Sequence, residues 1–219
     1  MQLTTIYQDY LEALRIGDRR AALKTARAAI ANGTDIHDLY MEIFQPAMYE
    51  VGRLWETKQF TVAQEHLATA ITQSVMAQVY VTVDGHAPIG RTMVATCIGG
   101  EMHELGIHMV ADFFEMEGWE VCYLGANMPA HDVIHMLDRK RAELLAISVT
   151  LGGHIVQVRE LIEAVRAAPV GKRVKIMVGG QPLNRAPETW RTLGADFTAS
   201  NAREAVRTVM EESCHDYHP

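Results

Sequence analysis

The sequence predicts an α/β protein in two parts, a four-helix bundle followed by a doubly wound, five-stranded parallel sheet covered by helices. Three observations predict it. Apolar residues recur every three or four positions through the first 84 residues. Past a stretch broken by Gly and Pro, Asp84-Gly85-His86-Ala87-Pro88-Ile89-Gly90, short strand-like runs alternate with helical patterns. The composition, 48% hydrophobic and 21% charged over 219 residues, leaves enough apolar chain to bury a core in each part. The expected domains are residues 1–84 and 91–219.

In the first part, Tyr7, Leu11 and Leu14 share a helical face, and Gly17-Asp18 interrupts before an Ala-rich segment from Arg19 to Ala31. Asn32-Gly33 then ends that segment, because glycine tolerates the left-handed turn that closes a helix. Leu39, Ile43, Ala47, Val51 and Leu54 mark a third helix over about 35–55. Thr61-Val62-Ala63-Gln64 is a capping box that opens a fourth, continued by Leu67, Ile71, Val75 and Val79. In the second part the strand candidates are 92–98, 120–124, 144–149, 175–178 and 196–198. Helices are expected at about 106–117, 130–141, 154–168, 186–193 and 202–212. Five such strands suit a flavodoxin-like order, in which ligands bind beyond the carboxyl ends of the strands. The loops after Ile98, Leu124, Val149 and Val178 are therefore the ones expected to carry function.

Charge narrows the classes of function. Lys and Arg number 20 against 27 Asp and Glu, a net charge of −7, and no dense basic run offsets it, which argues against direct nucleic-acid binding. No apolar stretch reaches the roughly 20 residues that span a bilayer, and Met1-Gln2-Leu3-Thr4-Thr5 does not resemble a secretory signal. Cys97, Cys122 and Cys214 form no CxxC pair and imply no disulfide framework. These features lead to the expectation of a cytoplasmic protein without a membrane partner.

The loop after Ile98 reads Gly99-Gly100-Glu101-Met102-His103-Glu104-Leu105-Gly106. His103 and His108 are one residue too far apart for a zinc-binding HExxH, being about 500° apart around a helix instead of about 400°. The glycines do not make the GxGxxG of a dinucleotide site. What remains is a histidine at the mouth of a sheet with a carboxylate two residues before it. Ligand histidines commonly donate their second ring N–H to such a carboxylate, and Gly106 would admit a large flat ligand close to the following helix. A hydrogen-bonded loop histidine without any ligand fits the same residues.

Glu101-x-His103-x-x-Gly106 resembles the ExHxxG variant of the DxHxxG motif of cobalamin-binding domains. The resemblance implies a Rossmann-like domain in which His103 coordinates cobalt from below. Ser148, Thr150 and Leu151 would line the pocket for the displaced dimethylbenzimidazole tail, and Gly179-Gly180 would admit that tail. In the first part, Trp55 is followed after nine residues by Glu65-His66. Read alone, this fits a core tryptophan and two surface residues. Trp-x9-Glu-His is nevertheless similar to the signature of light-sensing cobalamin proteins of the CarH and LitR type, where these residues enclose the 5′-deoxyadenosyl group. That similarity implies a helical bundle capping the upper face of adenosylcobalamin, and a sensor rather than an enzyme. Light would cleave the Co–C bond, and the released bundle would change self-association or partner binding.

Two departures stand out. No helix-turn-helix fits ahead of the bundle, and Glu56 stands where CarH-type proteins carry the histidine that binds cobalt after photolysis. The competing expectation is a corrinoid methyl carrier of a methyltransferase system, which pairs the same two parts at similar length. A bilin as second pigment, as in photocobilins, has no identifiable site. His131 and His135 form an i, i+4 pair that fits either a metal or an ordinary surface, and Cys214, His215 and His218 suit at most adventitious metal binding.

Overall fold

The computed structural model describes residues 2–82, 85–186 and 188–215, the last three of these by their backbone alone. Asp84, at the head of the expected linker, and the side chains of Cys214, His215 and His218 lie outside the described residues. The chain divides into two compact units, Met1–Asp84 and Gly85–Pro219.

The first unit is helical. α1 (Leu3–Arg15) and α2 (Arg19–Ala31) are joined by a turn in which the Asp18 carboxylate accepts from the N–H groups of Arg20 (2.9 Å) and Ala21 (3.0 Å). The third predicted helix is a composite. A single turn, α3 (Ile36–Asp38), widens into a π-helical segment, Leu39–Phe44, and continues as α4 (Gln45–Glu56). Pro46 gives the reason: lacking an N–H and crowding the carbonyl four residues back, it cannot sit in a regular α-helical ladder, and the wider turn absorbs the clash. α5 (Val62–Tyr80) opens with the predicted capping box, Thr61 Oγ1 accepting from the Gln64 N–H at 3.3 Å and Gln64 Oε1 from the Thr61 N–H at 2.9 Å. Tyr10, Tyr40 and Phe44 fill the core. The buried Tyr10 hydroxyl donates to Thr72 Oγ1 at 3.1 Å, so its polar end is satisfied.

The second unit is a five-stranded parallel sheet in the order β2-β1-β3-β4-β5. Its strands are β1 (Thr92–Ile98), β2 (Glu120–Met128), β3 (Leu144–Ser148), β4 (Lys175–Gly179) and β5 (Phe197–Ala199). Its helices are α6 (Leu105–Met116), α7 (Ala130–Arg139), α8 (Ile155–Ala167), α9 (Gln181–Arg185), α10 (Thr189–Leu193) and α11 (Ala202–His215). Alternate residues of β1 feed opposite cores. Val94 and Ile98 pack with Val133 and Leu137 of α7 and Val158 and Ile162 of α8. Met93, Ala95 and Cys97 pack with Ile107 and Phe114 of α6 and Ala205 and Val209 of α11. The period-2 alternation of a strand buried on both faces thus accounts for helices on both sides.

Two predicted boundaries shift. β2 runs to Met128 rather than stopping at 124, with irregular register against Ala95–Ile98 and left-handed backbone at Gly125 (φ 74°) and Asn127 (φ 53°). The helix expected over 186–193 is the shorter α10, Thr189–Leu193, and a further short helix, α9, precedes it and ends before Ala186 (φ −133°, ψ 75°). A residue preceding proline is pushed out of the helical region. Among the described residues no helix is long and apolar enough to cross a membrane.

Candidate functional site

β1 and β3 are neighbours at the centre of the sheet, and their outgoing loops leave towards opposite faces, so a crevice opens between their carboxyl ends. The β1 loop carries Glu101 and His103; the β3 loop carries Thr150, Leu151 and His154. Glu101 joins them. Its side chain is 0% exposed, yet it accepts from five donors. Oε1 takes the His103 backbone N–H (3.1 Å) and His103 Nδ1, whereas Oε2 takes the N–H groups of Thr150 (3.0 Å) and Leu151 (3.2 Å) and His154 Nδ1 (3.2 Å).

This arrangement sets the protonation states. Burial pushes the Glu101 carboxyl upward, but the hydrogen bonds from His103, Thr150 and His154 outweigh it and hold the group well below the usual carboxylate range. An ionised carboxylate only accepts, so both imidazoles present Nδ1–H to it. Coordination by His103, whose side chain is 47% exposed, would therefore go through Nε2. Beneath it the Cys97 thiol contacts the His103 carbonyl at 3.4 Å, and burial together with the Glu101 and Glu104 charges pushes its pKa up to about 12, keeping it protonated.

β2 braces the same loop from the other side. Asn127 Oδ1 accepts from the Gly100 N–H (2.8 Å), the Asn127 N–H donates to the Glu101 carbonyl (2.9 Å), and Glu104 Oε2 accepts from the Ala126 N–H (2.9 Å). The extension of β2 beyond its predicted end is thus what fixes the loop after β1.

The glycines test whether a large ligand fits. At Gly180 (φ 116°) a Cβ would lie 1.9 Å from the Val149 carbonyl oxygen, so glycine is demanded by the approach of the β3 and β4 loops. At Gly179 a Cβ would meet the Ala199 carbonyl oxygen at 3.0 Å. Gly106 differs: a Cβ there would meet only Ser148 Oγ, at an ordinary 3.8 Å, and at Gly100, Gly152 and Gly153 it would meet nothing within 4 Å. Packing does not require those glycines, although the left-handed backbone at Gly100 (φ 83°) favours one, and the loops are left open at these positions. Met102 (68% exposed) and Leu151 offer apolar surface at the same mouth. The donor set, the backbone cradle and the open mouth fit a corrinoid held from below.

The sequence-predicted residues of this unit, Glu101, His103, Gly106, Ser148, Thr150, Leu151, Gly179 and Gly180, all fall at the carboxyl ends of β1, β3 and β4. Trp55, Glu65 and His66 belong to the helical unit. Trp55 lies in the last turn of α4 and is 43% exposed, and Glu65 accepts from His66 Nδ1 (2.5 Å) and Thr69 Oγ1 (3.0 Å) in the opening turns of α5. Sequence reasoning missed His154, Asn127 and Glu104. For His154 the available signal was a histidine behind Gly152-Gly153, placed to turn back towards the preceding strand. Among the described residues no group of three His, Cys, Asp or Glu side chains could hold a metal ion, and His131 pairs instead with Asp132 at 3.5 Å.

Comparison with known proteins bears on the same residues. The B12 binding domain family matches residues 91–209, and a second family described as a B12 binding domain matches residues 6–80. Dimethylamine corrinoid protein 3 of Methanosarcina acetivorans is 30% identical over 167 residues, covering 75% of this chain and 76% of that protein. The trimethylamine corrinoid protein of Methanosarcina barkeri is 25% identical over 202 residues, covering 90% and 92%. Among solved structures, the monomethylamine corrinoid protein of Methanosarcina barkeri superposes with a TM-score of 0.80 at 20% identity over 96% of this chain and 99% of that one, a likeness of fold. These relatives overturn the light-sensor expectation. Similarity extending through both parts of the chain leads to dimethylamine and trimethylamine corrinoid proteins, and it outweighs the three residues of Trp-x9-Glu-His. The photoreceptor identity and the bilin lose their support with it.

Proposed function

The chain belongs to the B12-binding domain family, and from that premise we propose that it is a corrinoid methyl carrier, the non-catalytic subunit of a methyltransferase system. The observation that carries the reading is the buried Glu101 orienting His103 at the mouth of the sheet, in a chain similar over three quarters of its length to corrinoid proteins. When bound, the corrinoid supplies a cobalt centre that takes up and gives up a methyl group. Everything else falls to the side chains. Glu101 keeps the proton on His103 Nδ1 and so aims the Nε2 lone pair outward. Thr150 and Leu151 hold the carboxylate still, so its orientation is set before any ligand arrives. Ser148, Thr150, Leu151, Gly179 and Gly180 form the cleft for the nucleotide tail, where Gly180 lets the two loops meet. Separate methyltransferases would load and unload the carrier, so its own residues have only to hold and orient the cofactor.

The test uses the full chain loaded with cobalamin, reduced chemically to the cob(I) state, and mixed with a methylated amine and the methyltransferase of an amine-utilising system. Absorption spectra should show the corrinoid become methylated, and a second methyltransferase with a thiol acceptor should reverse the change. Spectra that stay constant, together with tighter binding of adenosylcobalamin than of methylcobalamin, would contradict the carrier reading.

A further inference from the structure

We propose that Met102 is an oxidation site that sets how firmly the corrinoid is held: peroxide converts its thioether to the sulfoxide, and the hold weakens. This rests on the reading that a corrinoid lies on His103, the residue that follows Met102 in the chain. Glu101, Met102 and His103 divide their side chains sharply. Glu101 is fully buried, His103 is half exposed, and Met102 is 68% exposed. The backbone on both sides of Met102 is pinned. The Glu101 carbonyl accepts from the Asn127 N–H (2.9 Å), and the His103 N–H donates to Glu101 Oε1 (3.1 Å). The thioether is therefore carried at the open mouth by a loop whose backbone is not free to turn inward.

Exposure singles this sulfur out, because an oxidant must reach what it oxidises. The chain has 12 methionines, and Met76, Met93, Met109, Met116 and Met177 are at most 3% exposed. Among the described residues the one other exposed methionine is Met210 of α11, at 36%. The described thiols compete poorly. Cys97 is buried and Cys122 partly so, burial pushes both pKa values up, and the thiolate is the reactive form. The step balances with peroxide alone. The sulfur attacks one peroxide oxygen, the O–O bond breaks, and the departing hydroxide takes the proton of the transferred oxygen and leaves as water. Sulfur loses two electrons and the peroxide gains them. An apolar side chain thereby becomes polar, at a mouth where Leu151 is the neighbouring exposed apolar surface.

The test treats the full chain with dilute hydrogen peroxide, once as apoprotein and once loaded with hydroxocobalamin. Peptide mass spectrometry reads the sulfoxide at each methionine. In the apoprotein Met102 should oxidise faster than Met210. Bound hydroxocobalamin should slow Met102 several-fold and leave Met210 unchanged. Oxidation of the apoprotein should lower its affinity for hydroxocobalamin about tenfold, the equivalent of about 1.4 kcal/mol for a polar group held without a partner. Methionine sulfoxide reductases should restore that affinity. Met102→Leu, whatever its starting affinity, should lose none of it on the same treatment. Oxidation of Met102 no faster than that of Met210 would overturn the proposal. So would an affinity that oxidation leaves unchanged, or one lost equally in Met102→Leu. A chain that binds no cobalamin before treatment would overturn the corrinoid reading and this proposal with it, whereas bound cobalamin that leaves Met102 unshielded would overturn this proposal alone.

Discussion

The loops at the carboxyl end of the sheet and the start of α5 each carry a glutamate beside a histidine, and the two pairs are built in opposite ways. Glu101 is fully buried and takes donors from its own loop and from the loop after β3, some fifty residues away in sequence. Glu65 is partly exposed and takes its donors from His66 and Thr69 of its own helix. A buried charge is expensive unless many donors meet it, so the first pair exists only because the fold assembles it. The second costs little to make or to lose, as is usual for a solvated pair on a helix. Burial and long-range donors, rather than the residue types, distinguish the first pair as the candidate for orienting a ligand.

The sharpest way to break this contrast is to remove the two histidines in turn. His103→Ala should abolish the histidine-ligated cobalamin spectrum and His66→Ala should leave it unchanged; a spectrum lost with His66 instead would reverse the ranking of the two pairs. Next in size is the carboxylate. Glu101→Gln should lower cobalamin retention about 10–100-fold, the range for a lost partner of a ligand histidine, and reduce apoprotein stability by about 2 kcal/mol through donors left unmet. Glu65→Gln should stay within about 0.5 kcal/mol in the same urea titrations. A third test addresses the loop framework. Gly180→Ala combines a left-handed backbone with a Cβ 1.9 Å from the Val149 carbonyl oxygen, and should cost about 1–3 kcal/mol. A neutral result would mean that the loops close less tightly.

The smallest effect is in pH. Glu101 titrates lower in the folded protein than in the unfolded chain, so its contribution is complete above the ordinary carboxylate pKa of about 4.3 and is lost as the pH falls below it. The stability gap between wild type and Glu101→Gln should therefore be flat from about pH 8 to 5 and narrow towards pH 3. A gap that closes near pH 6 would show that the carboxylate is not held in its ionised form.

Much of this was legible in the sequence. β1 could be read to its ends, because an apolar run bounded by Arg91 and Gly99 leaves little freedom, and the capping box at Thr61 announced α5. Glu101 and His103 stood out because their spacing has a chemical meaning. His154, Asn127 and Glu104 did not, since each acts across the sheet on a partner that only the fold brings near. The continuation of β2 was hidden by Gly125, which reads as a strand end until its left-handed turn is seen to carry Ala126 and Asn127 onto the loop after β1. The misreading of function has a related cause. Trp55, Glu65 and His66 are partly exposed, so packing constrains them weakly and a short pattern there says less than similarity along the whole chain.

The central claim is that His103, held by Glu101, is the protein's ligand to cobalt. Electron paramagnetic resonance of the full chain bound to cob(II)alamin, with and without 15N-labelled histidine, tests it most directly. The account predicts a triplet splitting from a single nitrogen that becomes a doublet on labelling and disappears in His103→Ala. A triplet unchanged by labelling would place the cofactor's own base on the cobalt and contradict it.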